Sequence, residues 1–90
     1  MLENLEHLMK NIRERKSSSP DSSYTNKLLN DKNLSVAKVK EEIAELIAAV
    51  EKDTNKIHEA ADVMYHLMVY LEANNIKIED IMSELKKRQK

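Results

Sequence analysis

The sequence predicts an all-α domain, and three observations carry that prediction. Apolar residues recur at the 3,4 spacing of amphipathic helices along most of the chain. No segment reads as a strand. The composition, 41% hydrophobic and 34% charged, suits a soluble helical protein, and 90 residues make one small domain with a thin core.

Five helical segments are expected. The first runs from about Leu2 to Lys16, where Leu2, Leu5, Leu8, Met9 and Ile12 form one stripe. The stretch SSSPDS, Ser17 to Ser22, breaks the pattern with Pro20 and is read as a loop. A short helix from Tyr24 to about Asn30 follows, with Ser23 as its N-cap, and DKN is then read as a turn. The third helix runs from about Ser35 to Lys52 on an apolar stripe of Val36, Val39, Ile43, Leu46, Ile47 and Val50. The fourth, capped by Asp53 or Thr54, extends to about Ala73. Asn74-Asn75 ends it, because Asn tolerates the left-handed conformation. The last spans about Ile78 to Arg88, with Glu79 and Asp80 in its first turn and Lys86, Lys87, Arg88 and Lys90 at its end, as the helix dipole favours.

Composition excludes several classes of function. There is no cysteine, so disulfides and thiolate metal sites are out. There is no glycine, so every Gly-rich phosphate loop is out. A net charge of −1 and 3% aromatic residues offer no footprint for nucleic acid. The N-terminus mixes acids and bases and is not read as a signal peptide. No run approaches the ~18 apolar residues of a membrane span. A cytoplasmic protein with no nucleic-acid or membrane partner is expected.

The fourth helix is unusual. From Ala60 to Leu71 it reads AADVMYHLMVYL, with only Asp62 and His66 strongly polar. A helix apolar nearly all round is buried on most sides. Either the other four helices cover it, or helices of a second copy do; a homodimer is the simpler expectation. An Asp in such a helix is expected to be buried, and a buried charge must be paired or bind a metal.

Asp62 has company. Glu59 and Asp62 are spaced i, i+3, as are Glu42 and Glu45, and such residues share a helix face. Glu41 lies one turn before Glu45. A short turn near EKDT makes the two helices antiparallel, which sets Glu42 and Glu45 opposite Glu59 and Asp62 at similar heights. Alone, EEIAE reads as a solvated acidic face. Facing the second pair, it reads as an oxygen cage for a hard divalent cation, Mg²⁺ first and Mn²⁺ or Ca²⁺ behind it. A di-iron bundle would use Glu-x-x-His pairs. None is present: Asn4, Asn55 and Val63 stand three residues before His7, His58 and His66.

His66 is read two ways, as a group that orients Asp62 or a substrate, or as a core histidine. His58 is assigned to the surface, Tyr65 and Tyr70 to packing, and the Met64/Met68 pair to the core.

EEIAE followed by HEAAD resembles the E-E-x-x-E…E-x-x-D signature of the MazG-like all-α nucleoside triphosphate pyrophosphohydrolases. The segments ERK, SSYTNKLL, AKVKEEIAEL, EAADVMYHLMVYL and IEDIMSELKKR resemble, in order and spacing, the phosphoribosyl-ATP pyrophosphohydrolases of histidine biosynthesis. Lys40 departs from that pattern, which has Gly before the paired glutamates. The resemblance implies a MazG-like bundle of about five helices, completed by homodimerisation. It implies hydrolysis of phosphoribosyl-ATP to phosphoribosyl-AMP and pyrophosphate. Glu42, Glu45, Glu59 and Asp62 would hold Mg²⁺, and Glu41 would assist or position water beside Glu42. Lys38 first, then Lys40 and Arg15, are candidates for substrate phosphate, against ordinary surface solubility. Tyr24, Thr25 and His66 are candidates to line the substrate site, although Ser23-Tyr24-Thr25 could equally cap and pack. Two other readings stay open: a MazG-like enzyme for other nucleotides, and a helical dimer with no catalysis.

Overall fold

The computed structural model describes residues 2–19 and 23–89. It contains five helices in order: α1 (Glu3–Glu14), α2 (Tyr24–Leu29), α3 (Lys32–Lys52), α4 (Lys56–Ala73) and α5 (Ile78–Arg88). No strand occurs among the described residues. A 3₁₀ turn, Arg15–Ser17, follows α1. Of the expected serine loop, Pro20, Asp21 and Ser22 lie outside the described residues, as do Met1 and Lys90.

Local chemistry sets the helix boundaries. Ser23 is extended and accepts a hydrogen bond from the Asn26 N–H at 3.1 Å, so it caps α2 as expected. The expected turn at DKN is instead the start of α3. Asp31 accepts from the Leu34 N–H at 3.0 Å, and Lys32 and Asn33 are the first helical residues. Ser35, the expected start of this helix, instead sits buried inside it. The cap of α4 also moves. Asn55, not Asp53 or Thr54, precedes it, and both Asp53 (φ 55°) and Asn55 (φ 45°) are left-handed. Two such residues turn the chain sharply, and Asx residues are the non-glycine residues that visit this region most readily. At the far end Asn75 adopts φ 58°, the conformation expected after α4.

The core lies where α1, α2 and α4 meet. Ile12, Leu28, Leu29, Met68 and Val69 are buried there, with Leu5, Leu8, Met9, Leu34, Tyr65 and Ala73 packed around them. Asn26 is buried beside them. Its Nδ2 donates to the carbonyls of Arg15 (2.6 Å) and Lys16 (3.3 Å), tying α2 to the end of α1. The C-terminal end of α4 is clamped by charge. Glu72 accepts from Lys16 Nζ at 2.7 Å and Arg13 Nε at 3.5 Å, and Arg13 also binds Glu79 of α5 through both terminal nitrogens.

The long antiparallel pair α3 and α4 is the framework of the molecule. Its stripe is not closed within the chain. Ile43, Ile47 and Val50 on α3 and Ile57, Met64 and Leu67 on α4 are exposed. Met64 was expected in the core with Met68; only Met68 is buried there, because α1 and α5 reach one side of α4 and leave Met64 at the edge of a groove of about 380 Å³.

A candidate active site between two antiparallel helices

Helical spacing places the acids. Glu41, Glu42 and Glu45 of α3 offer oxygens that all lie within 4.8 Å of one another, and so do the ligand atoms of His58, Glu59 and Asp62 on α4. The two groups act on each other across the helix pair. Burial pushes the Glu42 carboxyl above the usual range, and Glu45, then Asp62, push it further, against Lys38. Burial likewise raises Glu59, and Glu45 and Asp62 add to it, against His58. Glu45 and Asp62 therefore bear on both of the others, so the four carboxylates form one cluster. Oε2 of Glu42 and Oε2 of Glu59 are buried without a hydrogen-bond partner, and such groups are rare enough to require explanation.

The buried acid is not the one expected. Asp62 keeps 39% of its side chain exposed and meets His58 Nε2 at 3.3 Å, whereas Glu42 is only 8% exposed. Asp62 lies on the same flank of α4 as the exposed His58, so the apolar residues beside it in sequence, which point elsewhere around the helix, do not bury it. Glu42 lies deeper, against His66. His58 is at the surface as assigned, yet it touches the cluster through Asp62.

His66 is buried, with Nε2 at 3.9 Å from Glu42 Oε1. Burial, then Lys38, hold it below the usual histidine range. The imidazole is thus neutral near pH 7 and packs edge-on to Tyr24 (6.1 Å) and Tyr65 (5.0 Å). Lys38 Nζ lies 3.3 Å from Glu41 Oε2 at the rim. Of the other basic candidates, Lys40 is exposed and two residues from Glu42, on the opposite side of α3. Arg15 is exposed in the 3₁₀ turn and pairs with none of these carboxylates. The structure therefore gathers Lys38 but neither Lys40 nor Arg15.

Tyr65 was assigned to packing alone. Its hydroxyl is hydrogen-bonded to Thr25 Oγ1, so the Thr25 hydroxyl faces α4. The i, i+3 spacing from Asp62 sets only the face of α4 on which Tyr65 lies; its partner depends on where α2 docks.

A fold of five helices with one cluster of carboxylates between antiparallel partners defines an all-α protein with a hard-oxygen site. All its donors are carboxylate oxygens with a histidine at the edge, and two of those oxygens lack a hydrogen-bond partner among the described residues; this set fits a divalent cation of the Mg²⁺ type.

The chain belongs to the phosphoribosyl-ATP pyrophosphohydrolase family, whose model matches residues 5–89. It is similar to the phosphoribosyl-ATP pyrophosphatase of Halobacterium salinarum, 39% identical over 95 residues that cover 99% of this chain and 100% of that protein. The phosphoribosyl-ATP pyrophosphatase of Clostridium novyi is 44% identical over 92 residues, covering 96% of this chain and 81% of its own. A histidine biosynthesis trifunctional protein of Kluyveromyces lactis is 42% identical over 78 residues, and the match spans 87% of this chain but 10% of that longer protein. No solved structure matches the chain. Among the described residues, no helix is long and apolar enough to cross a membrane.

Proposed function

We propose that the protein hydrolyses phosphoribosyl-ATP to phosphoribosyl-AMP and pyrophosphate in cytoplasmic histidine biosynthesis, within the MazG-like superfamily. The carrying observation is the four-carboxylate cluster with its two unpartnered buried oxygens. Glu42, Glu45, Glu59 and Asp62 would hold Mg²⁺, with Mn²⁺ as a substitute. Bound there, the cation would neutralise charge that builds on the phosphate oxygens as the phosphoanhydride bond breaks. Water adds to the α-phosphorus, the bond from that phosphorus to the α,β-bridging oxygen breaks, and pyrophosphate leaves. Glu41, exposed beside Glu42, takes the proton of the attacking water. Lys38, already at the rim, supplies a positive charge to the polyphosphate.

The same reading includes a homodimer. Ile43, Ile47, Val50, Ile57, Met64 and Leu67 lie exposed along α3 and α4, and an apolar surface of that kind marks an interface. A second copy presenting the same stripe would close the bundle. A monomeric mass by light scattering at micromolar concentration would remove this part of the reading.

The activity is tested by pyrophosphate release from phosphoribosyl-ATP and from a panel of ordinary and damaged nucleoside triphosphates, with Mg²⁺ and with EDTA. The expected result is Mg²⁺-dependent release with phosphoribosyl-ATP preferred. Preference for another triphosphate would transfer the chain to a different substrate. No release from any of them would end the enzyme reading.

A further inference from the structure

The Tyr65 hydroxyl on α4 and Thr25 Oγ1 on α2 are hydrogen-bonded across 40 positions of sequence, and both are partly buried. Among the described residues, no other side-chain hydrogen bond joins these two helices. A helix of six residues is too short to hold itself, so its place is set by tertiary contacts. Leu28 and Leu29 anchor its C-terminal half in the core. The N-terminal half carries Tyr24, and the Thr25–Tyr65 bond anchors it.

Tyr24 is where this matters. Its side chain remains about half exposed, at 48%, while its ring stands edge-on to His66 at 6.1 Å. His66 in turn lies beside Glu42, and the charges of Lys38, Glu42 and Glu41 all reach the Tyr24 hydroxyl. The free flank of the ring thus borders the carboxylate cluster. An aromatic face in that place suits a purine, because base–aromatic stacking needs only a π-face and a dry neighbour.

We propose that Tyr65 is a positioning residue, which acts through Thr25 to hold α2 so that the exposed face of Tyr24 receives the purine ring of the substrate beside the carboxylate cluster. This rests on the hydrolase reading above. The bond does not touch Glu42, Glu45, Glu59 or Asp62, so its loss should alter substrate binding and leave the chemical step alone.

Steady-state kinetics of Tyr65→Phe and Thr25→Val, with circular dichroism as a folding control, test this. Each variant should raise KM for phosphoribosyl-ATP roughly fivefold, the scale of one lost hydrogen bond. Their kcat and Mg²⁺ half-saturation should stay within about twofold of wild type. Thr25→Ser, which keeps the hydroxyl, should restore the wild-type KM. In a Tyr24→Ala background, Tyr65→Phe should add nothing, because the residue it positions is gone. Should Tyr65→Phe fail to fold, Thr25→Val and Thr25→Ser carry the same comparison. Unchanged KM in an otherwise active enzyme overturns the inference alone, as does a KM increase that persists without Tyr24. A wild-type protein that releases no pyrophosphate overturns the hydrolase reading and takes this inference with it.

Discussion

Glu42 on α3 and Glu59 on α4 each bury one carboxylate oxygen that has no hydrogen-bond partner among the described residues, and Glu45 and Asp62 bear on both. In the folded chain Glu42 holds its proton to higher pH than the ordinary 4.5, because of burial and Glu45. The native state then binds more protons than the unfolded one, so this group's contribution weakens as pH rises above about 4.5. Glu42→Gln removes the term. In EDTA the variant should melt above wild type, and the gap should widen from pH 4 to pH 7, where about 4 °C or more is expected. Saturating Mg²⁺ should close or reverse the gap by stabilising the wild type more. Thermal melts of both proteins across pH, with and without the cation, decide this; a gap independent of pH would contradict it.

Asp62→Asn should behave differently, because Asp62 is a rim residue in contact with His58. Were Asp62 buried and unpaired, its neutralisation would stabilise the metal-free protein. With 39% of its side chain exposed, the change in stability should stay within about 0.5 kcal/mol. Mg²⁺-dependent pyrophosphate release should nevertheless fall by at least about 100-fold, the scale of a lost metal-binding group. Activity near wild type would take Asp62 out of the site.

The contrast between these two acids shows what the sequence could reveal. That Glu42, Glu45, Glu59 and Asp62 meet follows from i, i+3 spacing and a short turn, both of which are local. Ser23 and Asn75 were equally readable, since capping and left-handed turns depend on the residue itself. Burial is different: it depends on which elements cover a face. The apolar letters around Asp62 pointed to the wrong acid, because α1 and α5 cover only one side of α4, and His66 with α2 closes over Glu42. The same uncertainty of cover put Met64 in the core. At DKN the residue types were informative but ambiguous, because Asp serves a turn and a helix N-cap through the same side-chain acceptance. The Tyr65–Thr25 bond needed the placement of α2, a helix too short to predict its own docking.

Asn26 tests how far that docking depends on a single amide. It is 1% exposed and satisfies the carbonyls of Arg15 and Lys16. Asn26→Ala should cost about 1–3 kcal/mol, since it removes both hydrogen bonds of a buried amide and leaves a cavity in its place, and lower Tm by roughly 5–15 °C. Asn26→Asp should be worse, because a carboxylate would face those two carbonyl oxygens. Calorimetry of the two variants gives the order; an Asp variant as stable as wild type would mean the carbonyls are satisfied in another way.

Helix α5 has no buried residue, so its attachment should depend on Arg13. That guanidinium donates to Glu79 at 2.8 and 2.6 Å and to Glu72 at 3.5 Å. The Arg13 hydrogen bond, helped by a backbone N–H, holds the Glu79 carboxyl at about 2. A depressed carboxylate contributes above its unfolded value of 4.5 and loses that contribution as pH falls toward 2. The clamp should therefore survive mild acid, yet weaken in salt, because Glu79 is 56% exposed and screened. Hydrogen exchange of Arg13→Met should show faster exchange across Ile78–Arg88 and unchanged protection in the centre of α4, where Met68 and Val69 are buried. Wild type in 1 M salt should move in the same direction as the variant. Equal acceleration in α4 would mean that Arg13 supports the whole bundle, and no acceleration in α5 would mean that its apolar face alone keeps it docked.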